Sequence, residues 1–452
     1  MQKIHMPAGA EFIIEQLNNH GFEAYIVGGC VRDCLLGKCP NDWDITTSAT
    51  PYEVKDIFKR TIDTGIQHGT VTVMVDKSVS NGGEYAFEVT TYRVDGKYED
   101  HRRPTEVTFT ACLEEDLKRR DFTINAMAYN PSQGVVDIFG GQQDLADGII
   151  RAVGVAEHRF EEDALRILRA VRFAAQLGFS IEEETKKAMT KLADNLKYIS
   201  AERIQVELTK LITSNHPDRL VEAYELGLTK VILPEFDVMM ETEQDSPYHL
   251  YNVGLHTIKV MEHVPPTQIL RYTALLHDVA KPLTKTIDEE GNGHFYGHPI
   301  KSADMARDIL KRLKLDNHTI DETCLLVKEH DFALHGTNIK AFRRFLNRIG
   351  KERFEDFLII KKADMAGQSD YHKEEREGFV NDMIAMFEQV SQENQCIKMS
   401  DMELRGQDLI AMGYAPGKEM GDILKALFEK VLDDPTLNKR EILIKMVEEK
   451  MY

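Results

Sequence analysis

Ala24-Tyr25-Ile26-Val27-Gly28-Gly29-Cys30-Val31-Arg32-Asp33, followed at residues 42–49 by Asp42-Trp43-Asp44-Ile45-Thr46-Thr47-Ser48-Ala49, is the stretch that decides the fold. Ala24 to Val27 form a short apolar run of strand type that ends on a glycine pair. A strand running into Gly28-Gly29 and then Val31-Arg32-Asp33 lets bare backbone amides approach phosphate oxygens, and Arg32 adds a planar, bidentate donor. By itself a glycine pair after a strand is more often a tight turn. Residues two apart on a strand share a face, so Asp42 and Asp44 project together while Trp43 and Ile45 point to the core. Side-by-side acids repel unless cations lie between them, and Mg²⁺ with its hard oxygen ligands meets that need. Such a pair can hold two metal ions that activate an attacking hydroxyl and stabilise a leaving pyrophosphate. A polar turn after Pro40-Asn41 is the alternative that the acid pair alone leaves open.

Outward from this core, residues 11–20 carry helical spacing and lead through Gly21 into the strand. A helix is expected near 51–59 and strands at 70–75 and 85–92, with Asn81-Gly82-Gly83 as a turn. From about Glu157 to the end, apolar residues recur at helical period in segments broken by Pro217, Pro234, Pro265-Pro266, Pro282, Pro299 and Pro416. The expectation is a mixed α/β unit followed by an almost wholly helical remainder, with residues 241–246 as a polar linker.

A chain of 452 residues suggests two to four folding units. Hydrophobic residues at 42% supply enough apolar material to fold without disulfides. Cys30, Cys34, Cys39, Cys112, Cys324 and Cys396 form no CxxC pair and read as reduced packing residues, so no disulfide-linked partner is expected. No apolar run approaches the ~20 residues of a membrane span and no basic-then-apolar leader is present. A cytoplasmic enzyme with no membrane partner is the reading. The net charge of −19 argues at first sight against nucleic acid. Positive charge is nonetheless concentrated at Arg102-Arg103, at Lys118-Arg119-Arg120 and from Arg159 to Arg172, so a basic track on an acidic body stays open beside solvated helix faces.

The opening stretch, with Leu36-Gly37 between its halves, resembles the first signature of the bacterial-type (class II) tRNA nucleotidyltransferase and poly(A) polymerase family. The resemblance continues through Glu88-Val89-Thr90-Thr91-Tyr92-Arg93, Arg119-Arg120-Asp121-Phe122-Thr123-Ile124-Asn125-Ala126-Met127-Ala128 and Glu162-Asp163-Ala164-Leu165-Arg166 to Arg172-Phe173, in the expected order over about residues 20–215. It implies an α+β, polymerase-β-like mixed head over 1–150 and a helical neck over 151–240, which leaves 241–370 for the HD-type helical domain described below and 371–452 for a helical tail. It also implies that Asp42 and Asp44 hold Mg²⁺ and that Gly28, Gly29, Arg32 and Arg120 bind the incoming nucleotide. Arginine's planar fork suits Arg120 to phosphate oxygens, and a structural pairing with Asp121 is the competing reading.

Asp163, Arg166, Arg169 and Arg172 recur every third residue on a predicted helix and would form one polar seam. Salt bridging along the helix is the ordinary explanation. Cytosine and adenine, however, both present an amino donor beside a ring-nitrogen acceptor, whereas uracil and guanine present a carbonyl beside a ring N–H. A carboxylate next to a guanidinium complements the first pattern, so Asp163 with Arg166 can accept CTP and ATP without a template. The family gives the aligned motif this role, and Arg169 and Arg172 are carried over as further nucleotide contacts.

Three family reactions share this head: full CCA addition to tRNA, partial addition including A-only, and poly(A) synthesis. Polymerases of that last type tend to carry a basic pair where this chain has Gly65-Ile66-Gln67-His68-Gly69, and enzymes that add only CC tend to lack a flexible loop that Val94 to Phe109 resembles, so full CCA addition is favoured and A-only addition stays open.

In the C-terminal half, His256, His277-Asp278, Gly297-His298-Pro299, Glu329-His330-Asp331 and Asp364 look like the HD phosphohydrolase pattern. Imidazole and carboxylate together suit a divalent transition metal. His256, His277, Asp278 and Asp364 are the expected ligands, with His298 and His330 as a candidate second-metal pair. Lys281 either binds phosphate or caps a helix before Pro282. An HD phosphohydrolase with an RNA-binding N-terminal half, or a noncatalytic RNA-binding protein, are the readings of other classes. Residues 398–452 are amphipathic and resemble the tail on which the tRNA elbow rests, although core packing requires the same pattern.

Overall fold

The structure, a computed structural model, describes residues 3–76, 79, 86–96, 107–333, 338–393 and 395–452. It divides into two units, residues 1–237 and 238–452. In the first unit the strands up to residue 137 are β1 (Ala24–Val27), β2 (Ile45–Thr47), β3 (Thr61–Gly65), β4 (Thr70–Met74), β5 (Ala86–Thr91), β6 (Arg93–Asp95), β7 (Val107–Phe109), β8 (Met127–Asn130) and β9 (Gly134–Asp137). A mixed sheet runs in the order β3-β4-β5-β2-β1-β8-β9, with β2 and β5 parallel and the other neighbours antiparallel. β1 is buried along its whole length, which is why its sequence is continuously apolar rather than alternating.

Strand direction collects the motifs at one end of this sheet. β1 runs towards Gly28, and because β2 is antiparallel to it, Asp44 arrives beside that same end, where its carbonyl accepts the Val27 N–H at 3.0 Å. β8 is also antiparallel to β1, so residues 119–126 arrive there too, and the Gly28 N–H donates to the Met127 carbonyl at 3.0 Å.

The helices of this unit up to residue 212 are α1 (Ala8–Asn19), α2 (Gly29–Leu35), α3 (Pro51–Ile57), α4 (Leu113–Lys118), α5 (Gly141–Asp147), α6 (Ala156–Glu162), α7 (Leu165–Leu177), α8 (Glu183–Leu192) and α9 (Ala201–Ile212). α3 starts with a capping box in which Thr50 and Glu53 satisfy each other's backbone amides and Pro51 supplies a preset φ.

Several expectations are corrected. Asp42 and Asp44 lie in an extended lead-in to β2 rather than within a strand, although exposure still alternates: both acids are exposed, Trp43 and Ile45 buried. Asp163 is not on a helix; it sits in extended conformation at the break between α6 and α7. The expectation of an almost wholly helical region after Glu157 holds, its strands there being short: Ser180–Ile181, paired with Ile149–Ile150, and Thr286–Ile287, paired with Gly293–His294. Residues 241–246 are not a free linker, because Gln244 is buried against Gly293. The turn at Asn81-Gly82-Gly83 and most of the Val94–Phe109 loop, with Arg102-Arg103-Pro104, lie outside the described residues.

The second unit packs helices Val253–His263, Gln268–Leu276, His298–Arg312, Asn317–Glu329 and Phe354–Ala366 around the histidine cluster. Its last part has its own core of Leu409, Ile423, Leu427, Val431 and Leu443. Arg343, 3% exposed, donates from Nε to the Leu432 carbonyl at 2.5 Å and from Nη2 to the Asp433 carbonyl at 2.7 Å, at the end of helix Lys418–Asp433. A guanidinium there satisfies carbonyls that the helix leaves unpaired.

Candidate functional site

The acidic end of the sheet holds three carboxylates. β2 and β5 are in register with Ile45 opposite Val89, and one step back along both backbones Asp44 comes beside Glu88. Surrounding protein desolvates the Asp44 carboxyl and raises its pKa, Arg120 opposes the rise, and Asp42 adds to it. Glu88 is raised by desolvation and then by Asp44 and Asp42. Crowded acids held against their charge are what a cation-binding group looks like before cations arrive. Glu88 was not among the residues expected from sequence; its signal is a single acid between buried Phe87 and Val89 on the strand beside the acid pair.

Gly28 has φ +80°, and a Cβ built on it would lie 2.8 Å from Arg120 Nη1. Its own N–H is already given to Met127, so Gly28 contributes room rather than a phosphate donor. Arg120 approaches Asp116, not Asp121, at 3.6 Å. Asp116 is fully buried and also receives Arg119 at 2.8 Å and the Thr46 hydroxyl at 3.1 Å, which ties this arginine pair to β2.

Arg32 is held by Asp33 at 2.8 Å and by the Asn125 carbonyl oxygen at 2.8 Å. Asn125 donates in turn to Asp121 at 3.1 Å, and Asp121 accepts two bonds from Arg169 at 2.9 and 2.6 Å. Burial opposes charge on Asp121, but Arg169 and the Asn125 amide bring its pKa down to about 2. Arg172 is buried, bonded to Glu207 at 2.8 Å, and lies 3.6 Å from the Phe173 ring. That environment holds Arg172 in the packing between α7 and α9.

Asp163 and Arg166 do not pair with each other. Asp163 accepts from Arg203 at 2.7 Å and from the Leu165 N–H at 3.1 Å. Arg166 bonds Glu162 at 2.7 Å and the Arg119 carbonyl at 3.0 Å. The expected seam therefore holds only in its second half, where Arg169, at 3.8 Å, and Arg172, at 2.8 Å, share Glu207.

The second unit gathers all six expected HD residues. His256 Nε2 lies 3.6 Å from Asp278 Oδ2 and 3.0 Å from Asp364 Oδ1, and His277 Nε2 lies 3.2 Å from Asp278 Oδ2. On the other side, His298 and His330 Nε2 lie 3.2 and 3.6 Å from Asp278 Oδ1. Asp278 thus joins two potential ligand groups, one through each oxygen. The Nδ1 atoms of His277, His298 and His330 each lie 2.7–2.8 Å from a backbone carbonyl. A carbonyl only accepts, so in the neutral rings the proton sits on Nδ1 and the Nε2 lone pairs face Asp278. Both Asp278 oxygens are buried without a well-formed hydrogen bond, which fits a metal, while Lys281 Nζ stands 2.7 Å from Oδ2 and donates to Gln244 at 2.8 Å. A cavity of about 590 Å³ opens over the cluster, lined in part by Tyr248, His249, Lys281 and Tyr296. His249 was not anticipated; burial and then Lys281 push its pKa down to about 3.

Residues 24–151 match the family described as "Poly A polymerase head domain", residues 178–240 the "Probable RNA and SrmB- binding site of polymerase A", and residues 299–447 the tRNA nucleotidyltransferase domain 2. The CCA-adding enzyme of Oceanobacillus iheyensis is 35% identical over 422 residues, 93% of this chain and 90% of that protein. The chain belongs to the CCA-adding enzyme family. The CCA-adding enzyme of Lactiplantibacillus plantarum reaches 55% identity over 208 residues, which span 46% of this chain and about half, 49%, of that protein. Among solved structures, the Bacillus stearothermophilus CCA-adding enzyme in complex with CTP superposes with a TM-score of 0.71 at 30% identity, covering 99% of this chain and 98% of that one. The Thermotoga maritima CCA-adding enzyme complexed with tRNA shares the fold, with a TM-score of 0.60 at 22% identity, covering 97% of this chain and 94% of that one. As a member of the CCA-adding enzyme family the chain is a nucleotidyltransferase, a class that implies dependence on divalent metal. No described helix is long and apolar enough to cross a membrane, and all six cysteines are free. Residues 241–298, which carry His256, His277 and Asp278, fall between the second and third matched segments.

Proposed function

We propose that this chain completes the tRNA 3′ end in the cytoplasm by adding C, C and A from CTP and ATP, using Mg²⁺ held by Asp42, Asp44 and Glu88. When bound, the metal lowers the barrier by activating the terminal hydroxyl and neutralising the departing pyrophosphate. Arg32 and Arg120 orient the triphosphate, and the room at Gly28 and Gly29 admits it. Asp163 and Arg166 read the amino and ring-nitrogen edge shared by cytosine and adenine, with Arg169 beside them. Residues 1–150 form the head, 151–240 the neck, 241–370 the HD-type domain and 371–452 the tRNA-contacting tail.

One observation carries this reading: Arg166 is bonded to the carbonyl of Arg119, the residue before Arg120, and Arg120 acts electrostatically on Asp44. A hydrogen bond, the Arg119–Arg120 peptide and the field of Arg120 thus link Arg166 to Asp44, which supports assigning base reading and metal binding to one site. The experiment is to incubate the protein with tRNA ending at the discriminator base and, separately, with tRNA ending in CC, and to sequence the products with CTP and ATP, separately and together. Addition of C, C and A, abolished by Asp42→Ala, is expected. A single A on a CC end indicates the A-adding enzyme, and a long A tail defeats both.

A second activity rests on the double group around Asp278. It fits a divalent-metal phosphohydrolase of HD type, with His256, His277, Asp278 and Asp364 on one metal and His298 and His330 on the other. Phosphoesterase turnover in the presence of Mn²⁺ should survive Asp42→Ala and disappear in the double variant His277→Ala with Asp278→Ala. Turnover unchanged by that double variant defeats this assignment.

A further inference from the structure

We propose that Asn125 is a positioning residue that couples the arginine on the phosphate side, Arg32, to the arginine on the base side, Arg169. The inference rests on the roles assigned above to those two side chains. Asn125 ends the short turn Thr123–Asn125 and is 5% exposed. Its Oδ1 accepts from Arg32 Nη1 at 2.8 Å and its Nδ2 donates to Asp121 Oδ1 at 3.1 Å, while Asp121 Oδ2 takes both bonds from Arg169.

Chemistry fixes the orientation of this amide. A guanidinium only donates and a carboxylate only accepts, so the group between them must show an oxygen to one and an N–H to the other. Asparagine does this without adding charge. Aspartate would set acceptor against acceptor at Asp121, and alanine would leave both neighbours short of a bond in a buried place. The two arginines also share one apolar surface, with Arg32 5.1 Å and Arg169 5.3 Å from the centre of the Phe173 ring. A shift of either guanidinium is therefore felt through the amide and through the ring.

The test uses the full-length chain with two readouts that separate the ends of this relay. Pyrophosphate carries phosphates and no base, so its inhibition constant reports the Arg32 side. The ratio of CMP to UMP incorporation reports the base side. Asn125→Asp and the milder Asn125→Ser are expected to weaken pyrophosphate inhibition and to lower the CMP preference together, each by about tenfold for Asn125→Asp. Arg32→Ala should move mainly the first readout and Arg166→Ala mainly the second. In an Arg169→Ala background, Asn125→Ser should no longer change the base ratio. Variants that fold, by an unchanged melting curve, and move only one readout or neither overturn the coupling while leaving the assigned reaction intact. Absence of CMP incorporation by the unmodified chain overturns the reaction itself, and the coupling with it.

Discussion

Gly28 and Arg120 meet so closely that a side-chain carbon on the first would stand 2.8 Å from Nη1 of the second. Gly28→Ala must displace that guanidinium and also strain a backbone held at φ +80°. The expected outcome is a loss of kcat/KM for CTP of about tenfold or more, with stability lowered by about 1–2 kcal/mol. Steady-state kinetics alongside urea unfolding check it, and a variant with normal kinetics would show that Arg120 does not contact nucleotide.

Arg172 and Arg166 should separate in selectivity. Arg172 is buried against Glu207, so Arg172→Ala leaves that buried carboxylate with only Arg169, at 3.8 Å, and should cost about 2–4 kcal/mol of stability. Its effect on the choice between CTP and UTP should be slight. Arg166→Ala should lower selectivity strongly, with a stability loss of its own from the bonds to Glu162 and the Arg119 carbonyl. Measuring misincorporation and thermal unfolding on both variants decides the matter.

Acid should expose the contribution of Asp121. Its pKa in the folded chain, about 2, lies below the ~3.9 of a free aspartate. The stabilisation is therefore complete above about pH 4 and is lost as pH falls through 2, at about 2 kcal/mol in all. Asp121→Asn should be less stable than the parent at neutral pH, with the gap closing in acid. A gap that stays constant from pH 7 to 2.5 would contradict this.

Because Asp278 serves two histidine pairs through different oxygens, single substitutions should differ in stoichiometry. Asp278→Ala should remove both metals from the purified protein, whereas His298→Ala should remove one. Elemental analysis gives the count. Chelation should lower the melting temperature of the parent, because ions that bind only the folded state stabilise it, while CMP incorporation by Asp278→Ala should remain at the parental level.

What could be read in the residues beforehand was what is local or contiguous. β1 declared itself by four apolar residues against a glycine pair, and the alternation of exposure from Asp42 to Ile45 survived even though the strand begins only at Ile45. The HD group was legible because His277 and Asp278 are adjacent. Glu88, Asn125 and Glu207 were not, since each reaches its partners across elements that only strand order and helix packing bring together. Asp163 misled for a different reason. A short acid competes for nearby backbone amides, and its bond to the Leu165 N–H breaks the helical run that the three-residue spacing suggested.

Arg343 bears on what can be cut away from this protein. Its guanidinium is held by the terminal carbonyls of a helix that ends at Asp433, 90 positions further along the chain. A fragment stopping before that helix would keep the arginine and its bond to the Gln395 side chain at 3.1 Å but lose both carbonyl acceptors and the helix packed over it. Shortened versions made to isolate the histidine cluster should therefore run past Asp433, or replace Arg343 with an apolar residue of similar bulk.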